Sequence, residues 1–219
     1  MSSCSNTKVD CHIPQREQLL NLIEKKALQR GDFTLRSGKK SSYYLDCRNV
    51  TLDPLGTHLI GTEIVRMLSL RPTFYPDSVG GLAVGADPIT TSVVMASYCI
   101  SNHVGWLANL PKPIQGFIVR KEVKGHGVGD RIAGPLEPGM STVIVEDVCT
   151  TGHSALEAAR CVEEFGCEVK CIIGLVDRLE GAEEAVKEAG HTLLSLFTIK
   201  DFGIQPPIDE DEDYGRPPK

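Results

Sequence analysis

Val143-Ile-Val-Glu-Asp-Val-Cys-Thr-Thr-Gly-His-Ser154 is the stretch that decides how this chain is built. Val143, Ile144 and Val145 are apolar and β-branched, which suits a buried strand of a parallel sheet. Glu146 and Asp147 stand at the end of that strand. The turn Thr150-Thr151-Gly152-His153-Ser154 then leads into Ala155-Leu-Glu-Ala-Ala-Arg160, a run of strong helix formers. Free N–H groups at a helix N-terminus, with hydroxyls beside them, are suited to hold a phosphate whose charge the helix dipole favours. The two carboxylates are strong acceptors for the hydroxyls of an attached sugar. A Ser or Thr in this place also serves as an ordinary helix cap. Two adjacent acids after an apolar run weigh toward a site, because like charges are not desolvated together without a partner. No Gly-Lys-Ser/Thr follows the turn, so it is not the ATP-binding P-loop.

Outward from this stretch, strands alternate with helices. Downstream, residues 152–166 read as a helix, 168–176 as a strand, 181–190 as a helix and 192–199 as a strand. Upstream, Val79-Gly-Gly-Leu-Ala-Val-Gly85 is a glycine-punctuated strand. Ala86-Asp87-Pro88 follows, with Pro expected at the first helical position. Phe117-Ile-Val-Arg120 is a further short strand. This alternation predicts a mainly parallel, doubly wound α/β sheet flanked by helices, with ligands at the carboxyl ends of its strands. Glu146, Asp147 and Asp177-Arg178 all fall at such ends. Before the sheet come a helix from Pro14 to Gly31 and two short strands in 33–46 joined by a Ser-Gly-Lys-Lys turn. A second amphipathic helix spans about 55–70. Arg36, among apolar neighbours, and Tyr43-Tyr44 stand out there, whereas Lys39 and Lys40 suit an ordinary solvated tip. The expected organisation is a disordered start at 1–13 and a single domain at 14–204. That domain divides into a small N-terminal helix and hairpin hood (14–75) and an α/β core (76–204). An acidic, Pro-rich tail completes the chain at 205–219.

A second signal is Arg120-Lys-Glu-Val-Lys-Gly-His-Gly-Val-Gly-Asp-Arg131. Runs of charge are usually solvated faces. This one is almost wholly positive in a chain of net charge −6, and it directly precedes the phosphate-binding strand. Basic groups on a glycine-rich loop suit a lid that closes over pyrophosphate and excludes water. His126 can carry charge or donate hydrogen bonds near neutral pH.

The acidic balance argues against a nucleic-acid or anionic-membrane surface, and no run approaches the ~18 apolar residues of a membrane span. The first residues lack the apolar core of a signal peptide, which points to the cytoplasm. None of the eight cysteines forms Cys-x-x-Cys, so they read as packing residues in a reducing compartment; Cys149, within the phosphate turn, is the one exposed to oxidation risk.

The acidic pair with Thr-Thr-Gly-x-Ser resembles the phosphoribosyl pyrophosphate (PRPP) loop of type I phosphoribosyltransferases. Arg-Lys-Glu-x-Lys-x-His-Gly at 120–127 is similar to the catalytic loop of the orotate phosphoribosyltransferase family. Phe33-Thr-Leu-Arg-Ser-Gly with Ser-Tyr-Tyr resembles its orotate-side segment, and Asp177-Arg178 matches the position of its carboxylate-binding Arg. The resemblance covers residues 15–203. It implies transfer of the 5-phosphoribosyl group of PRPP to orotate, with Mg²⁺ carried mainly by PRPP and no metal ligands from the protein. It implies PRPP contacts from Arg120, Lys121, Lys124, His126, Glu146, Asp147, Val148, Cys149, Thr150, Thr151, Gly152, His153 and Ser154. Of these, Lys124, His126, Glu146 and Asp147 are the catalytic candidates. Orotate contacts are implied for Arg36, Tyr43, Tyr44, Thr150 and Arg178. A homodimer sharing loop 120–131 across its interface is also implied. Two positions depart from the family pattern. Arg36 replaces a Lys, and Gly85-Ala86-Asp87-Pro88 stands where many members carry a phosphate-contacting Lys. A PRPP sensor would not need the basic lid, and a salvage enzyme for another base would leave Arg178 without a carboxylate partner.

Overall fold

The structure, a computed structural model, describes residues 14–34, 40–102, 112–122 and 131–206. The expected disordered start, Ser37-Gly-Lys39 of the expected turn with Arg36, the centre of the basic loop with Lys124 and His126, and most of the acidic tail lie outside these residues.

Helix α1 (Gln15–Lys26) buries Leu19 and Ile23, four apart on one face, against helix α3 (Pro54–Ser69). Asp53 caps α3 by accepting from the Leu55 and Gly56 amides at 3.0 and 3.1 Å, and Pro54 follows it at the first helical position. Between them lie β1 (Leu28–Thr34), β2 (Lys40–Leu45) and the short α2 (Arg48–Thr51). The two strands form the antiparallel hairpin of the hood. Strand alternation sends Tyr43 inward and leaves Tyr44 exposed, its ring 5.8 Å from that of Phe33.

The main sheet has the order β5-β4-β3-β6-β7-β8. It is formed by β3 (Ser78–Leu82), β4 (Gln115–Val119), β5 (Ile132–Ala133), β6 (Ser141–Cys149), β7 (Glu168–Asp177) and β8 (Leu193–Thr198). Only the β4–β5 pair is antiparallel. Helix α4 (Ala86–Ser101) joins β3 to β4, α5 (His153–Glu164) joins β6 to β7, and α6 (Ala182–Glu188) joins β7 to β8. Val143 and Val145 of β6 pack toward α3 and α4, while Ile144 packs toward α5. Both faces of the strand are therefore covered, as its continuous apolar run requires.

From β3 the chain moves one way through α4 to β4. From β6, β3's other neighbour, it moves the opposite way through α5 to β7. The strand order reverses between β3 and β6, and a crevice opens there at their carboxyl ends.

Three local expectations are corrected. Strand β6 continues through Glu146 and Asp147 to Cys149, because Val148 and Cys149 still pair with Val176 and Asp177. Pro88 is the third residue of α4, since the helix begins at Ala86. Cys149 is no oxidation risk: burial pushes its thiol far up, and nearby Glu146, Asp177 and Asp147 push the same way, so the reactive thiolate is suppressed. Cys47, Cys149, Cys161, Cys167 and Cys171 are buried and form no disulfide.

Candidate active site

At the end of β6 the two acids leave the strand on opposite faces, yet their carboxyl groups come within hydrogen-bonding reach of each other. Glu146 points toward the turn before α5 and lines one pocket with Val148–Ala155. Asp147 points toward the loop after β3: a Cβ on Gly85 would stand 2.7 Å from its Oδ1. Only a glycine leaves that carboxylate where it is. The same Oδ1 accepts from the Val148 amide at 2.9 Å. The two carboxyl groups thus meet at the crevice between β3 and β6.

The turn that follows is not an ordinary capped helix start. Gly152 holds the N-cap position of α5 at φ 75°, a left-handed conformation that glycine adopts freely, and no side chain caps the helix. The first N–H groups of α5 have no partner within the helix and open onto the pocket of Glu146. Thr150, Thr151, His153 and Ser154 ring them, so the arrangement is that of an anion cradle.

Burial, reinforced by the Asp147 carboxylate and only partly offset by the Lys121 ammonium, pushes Glu146 from 4.5 up to about 8. Its Oε2 is buried with no hydrogen-bond partner among the described residues. Between those two values the folded chain holds a proton that the unfolded chain releases. The resulting stabilisation is complete below about pH 4.5 and is lost as pH rises through about 8, on the order of 1 kcal/mol per unit. The melting temperature of the ligand-free protein is therefore expected to fall more steeply from about pH 6 to about pH 8.5 than that of Glu146→Gln, by a few degrees. Parallel falls in the two proteins would show that another group titrates.

Two further features converge here. Arg120, just after β4, donates its amide to the Arg131 carbonyl at 2.7 Å, and Arg131 Nε donates back to the Arg120 carbonyl at 3.0 Å. Arg131 also pairs with Glu157 of α5. The basic loop therefore leaves and re-enters the sheet through a closed neck, and Lys121 on its near side lies within electrostatic reach of Glu146. Arg131, the last residue of that basic stretch, is a structural clasp.

On the opposite flank, one strand over, Arg178 donates its backbone amide to the Cys149 carbonyl at 2.9 Å. Its side chain is nearly buried. Arg178 Nε donates to the Tyr43 hydroxyl at 2.8 Å, and its Nη2 lies 2.7 Å from Glu180 Oε1. The tyrosine pair is thus divided: Tyr43 meets Arg178, and Tyr44 meets Phe33. Glu180 was missed from sequence, although its place two residues after Arg178 and before Gly181 marked a turn able to bring it back. Asp87 lies in the first turn of α4, with a carboxyl raised by burial and one oxygen, Oδ1, buried and unpartnered among the described residues.

A family model for the phosphoribosyl transferase domain matches residues 107–211. The chain is 47% identical over 191 residues to the orotate phosphoribosyltransferase of Rhodopirellula baltica, covering 86% of this chain and 94% of the relative. It is 43% identical over 191 residues to that of Aquifex aeolicus, covering 86% and 97%. Among solved structures it is similar to Mycobacterium tuberculosis orotate phosphoribosyltransferase in complex with PRPP. The TM-score is 0.69 at 34% identity, covering 87% of this chain and all of that one. At these identities and coverages the chain belongs to the orotate phosphoribosyltransferase family.

Proposed function

We propose that the crevice between β3 and β6 binds PRPP and orotate together, with the role of each residue following from its charge and place. As an orotate phosphoribosyltransferase, the protein transfers the 5-phosphoribosyl group of PRPP to orotate, forming orotidine 5′-monophosphate and pyrophosphate in pyrimidine biosynthesis. The observation that carries this reading is the adjacency of the uncapped α5 turn, the β6 acids and buried Arg178. A ring nitrogen of the base forms a C–N bond at the sugar C1 while the C–O bond to pyrophosphate breaks and its electron pair leaves with pyrophosphate. Positive charge develops on the sugar in the transition state.

Val148 to Ser154 cradle the 5′-phosphate through the free N–H groups of α5 and the hydroxyls of Thr150, Thr151 and Ser154. Glu146 and Asp147 accept from the ribose hydroxyls and face the developing sugar cation. Arg120, Lys121, Lys124 and His126 neutralise the departing pyrophosphate, with Lys124 foremost. Arg178, Arg36 and Thr150 orient orotate; Tyr43 steadies Arg178, and Tyr44 borders the base. The described residues offer no group of three or more His, Cys, Asp or Glu able to hold a metal. The diphosphate of PRPP supplies the hard oxygens that Mg²⁺ takes, so these residues fit a metal that arrives on the substrate. Bound there, Mg²⁺ adds to the neutralisation of the leaving group. No helix among the described residues is long and apolar enough to cross a membrane. The buried thiols of Cys47, Cys149, Cys161, Cys167 and Cys171 suit a reducing cytoplasm. The working unit in this proposal is a homodimer whose basic loop reaches the neighbouring site.

The test is a panel of orotate, uracil, adenine, guanine and hypoxanthine with PRPP, read by pyrophosphate release. Orotate is expected to exceed uracil in kcat/KM by roughly a hundredfold, the upper worth of a charge-assisted pair to Arg178. Equal turnover of any other base would overturn the reading.

A further inference from the structure

The turn after β7 folds a carboxylate back onto Arg178. Asp177 Oδ1 accepts from the Leu179 amide at 2.8 Å, and Leu179 occupies the left-handed region at φ 57°. Gly181 follows at φ 93°. Left-handed backbone is unusual for a residue carrying a side chain, and it persists where its surroundings enforce it. Its result here is that Glu180 and Arg178, two residues apart, meet at 2.7 Å between Oε1 and Nη2. From the hood, β2 brings Tyr43, whose hydroxyl accepts from Arg178 Nε at 2.8 Å. The Tyr43 ring centroid lies 4.7 Å from the guanidinium carbon.

Nε and Nη2 share one edge of the planar guanidinium fork. Tyr43 accepts from Nε, and Glu180 stands against Nη2 as a close ion pair. Nη1 meets no acceptor among the described residues. A fork held at Nε and Nη2 and faced by the Tyr43 ring is restrained from turning. Its Nη1 and Nη2 groups are the two parallel donors that a carboxylate binds in bidentate fashion. Glu180 also balances the buried guanidinium charge while no substrate is bound.

We propose that Glu180 is a positioning residue for base selection, holding Arg178 together with Tyr43 so that the Nη1 side of the guanidinium receives the carboxylate of a carboxylated pyrimidine. This rests on Arg178 being the orotate-side cation, and Glu180 itself touches no substrate.

The test compares Glu180→Ala, Glu180→Gln and Arg178→Ala in the full-length enzyme. It uses the KM for orotate and for PRPP, and inhibition by orotidine 5′-monophosphate against uridine 5′-monophosphate, which differ only in the carboxylate. Glu180→Ala is expected to raise the KM for orotate about tenfold and to leave that for PRPP within about twofold. It should also cut the preference for the carboxylated nucleotide about tenfold, the size of one hydrogen bond to a charged group. Glu180→Gln keeps an acceptor oxygen in place and is expected to remain within about threefold of wild type, which a general loss of structure would not allow. An unchanged nucleotide preference in Glu180→Ala, equal rises in both KM values, or a Gln variant as damaged as Ala would each overturn the proposal. Arg178→Ala separates the two levels of the argument. If it abolishes the preference while Glu180→Ala does not, only the role of Glu180 falls. If it leaves the preference intact, the orotate-side assignment of Arg178 falls with it.

Discussion

Asp147→Asn is expected to fold with a wild-type melting temperature and to lose about two to three orders of magnitude in kcat, the scale of removing one preorganised electrostatic contact from a transition state. The amide oxygen of Asn can still accept from the Val148 amide, as the Asp147 carboxylate does at 2.9 Å, so the local backbone is kept. What disappears is the negative charge facing the sugar cation. Gly85→Ala probes the same carboxylate from across the crevice. The backbone there, at φ −62° and ψ −39°, suits any residue, so the substitution brings no conformational strain. Its methyl would meet Asp147 Oδ1 at 2.7 Å, and the free end of a side chain moves aside at little cost in stability. Displacing the carboxylate by several tenths of an ångström is expected to lower kcat about tenfold with an unchanged melt. Thermal melts beside steady-state kinetics check both variants. An Asp147→Asn enzyme within about threefold of wild type would remove Asp147 from the chemistry.

Mixing Lys124→Ala with Asp147→Asn, each inactive alone, is expected to restore about a quarter of the sites once subunits exchange. If loop 120–131 works across a two-fold interface, a mixed dimer has one site with both lesions and one with neither, and random exchange makes half of the dimers mixed. The neck supports the choice of residue. Arg120 and Arg131 clasp one another at the end of β4, and Lys121 beside the neck acts on Glu146 of its own chain. Lys124 follows three residues further along the chain. Pyrophosphate release before and after exchange, with exchange followed by a tag on one variant, reads the outcome. Confirmed exchange without recovery would assign the loop to its own subunit and end the shared-site proposal.

The alternation of helix and strand was legible because it depends on residues close in the chain. Val143 to Val145 signalled a doubly covered strand, and Thr150 to Ser154 signalled a turn into a helix; both stand in the fold as read. Errors arose where the next strand mattered. Nothing local says that β6 runs on past its acids, because Val148 and Cys149 are held by pairing to β7. Nothing local says that Cys149 is inert, because the burial that suppresses its thiolate comes from neighbours packed around it.

By itself, then, the sequence determined the layered α/β class, the phosphate turn and the residue types gathered for phosphoribosyl chemistry. Periodicity, turn chemistry and charge are properties of short stretches. Only the tertiary structure decided which of those residues face one another. It set Tyr43 against Arg178 across 135 positions, Gly85 under Asp147, Arg131 on Glu157 and Glu180 beside the Arg178 guanidinium. Those meetings depend on the order of strands in the sheet and on the face each strand turns to its neighbours. Both are settled only when the whole apolar surface is buried at once.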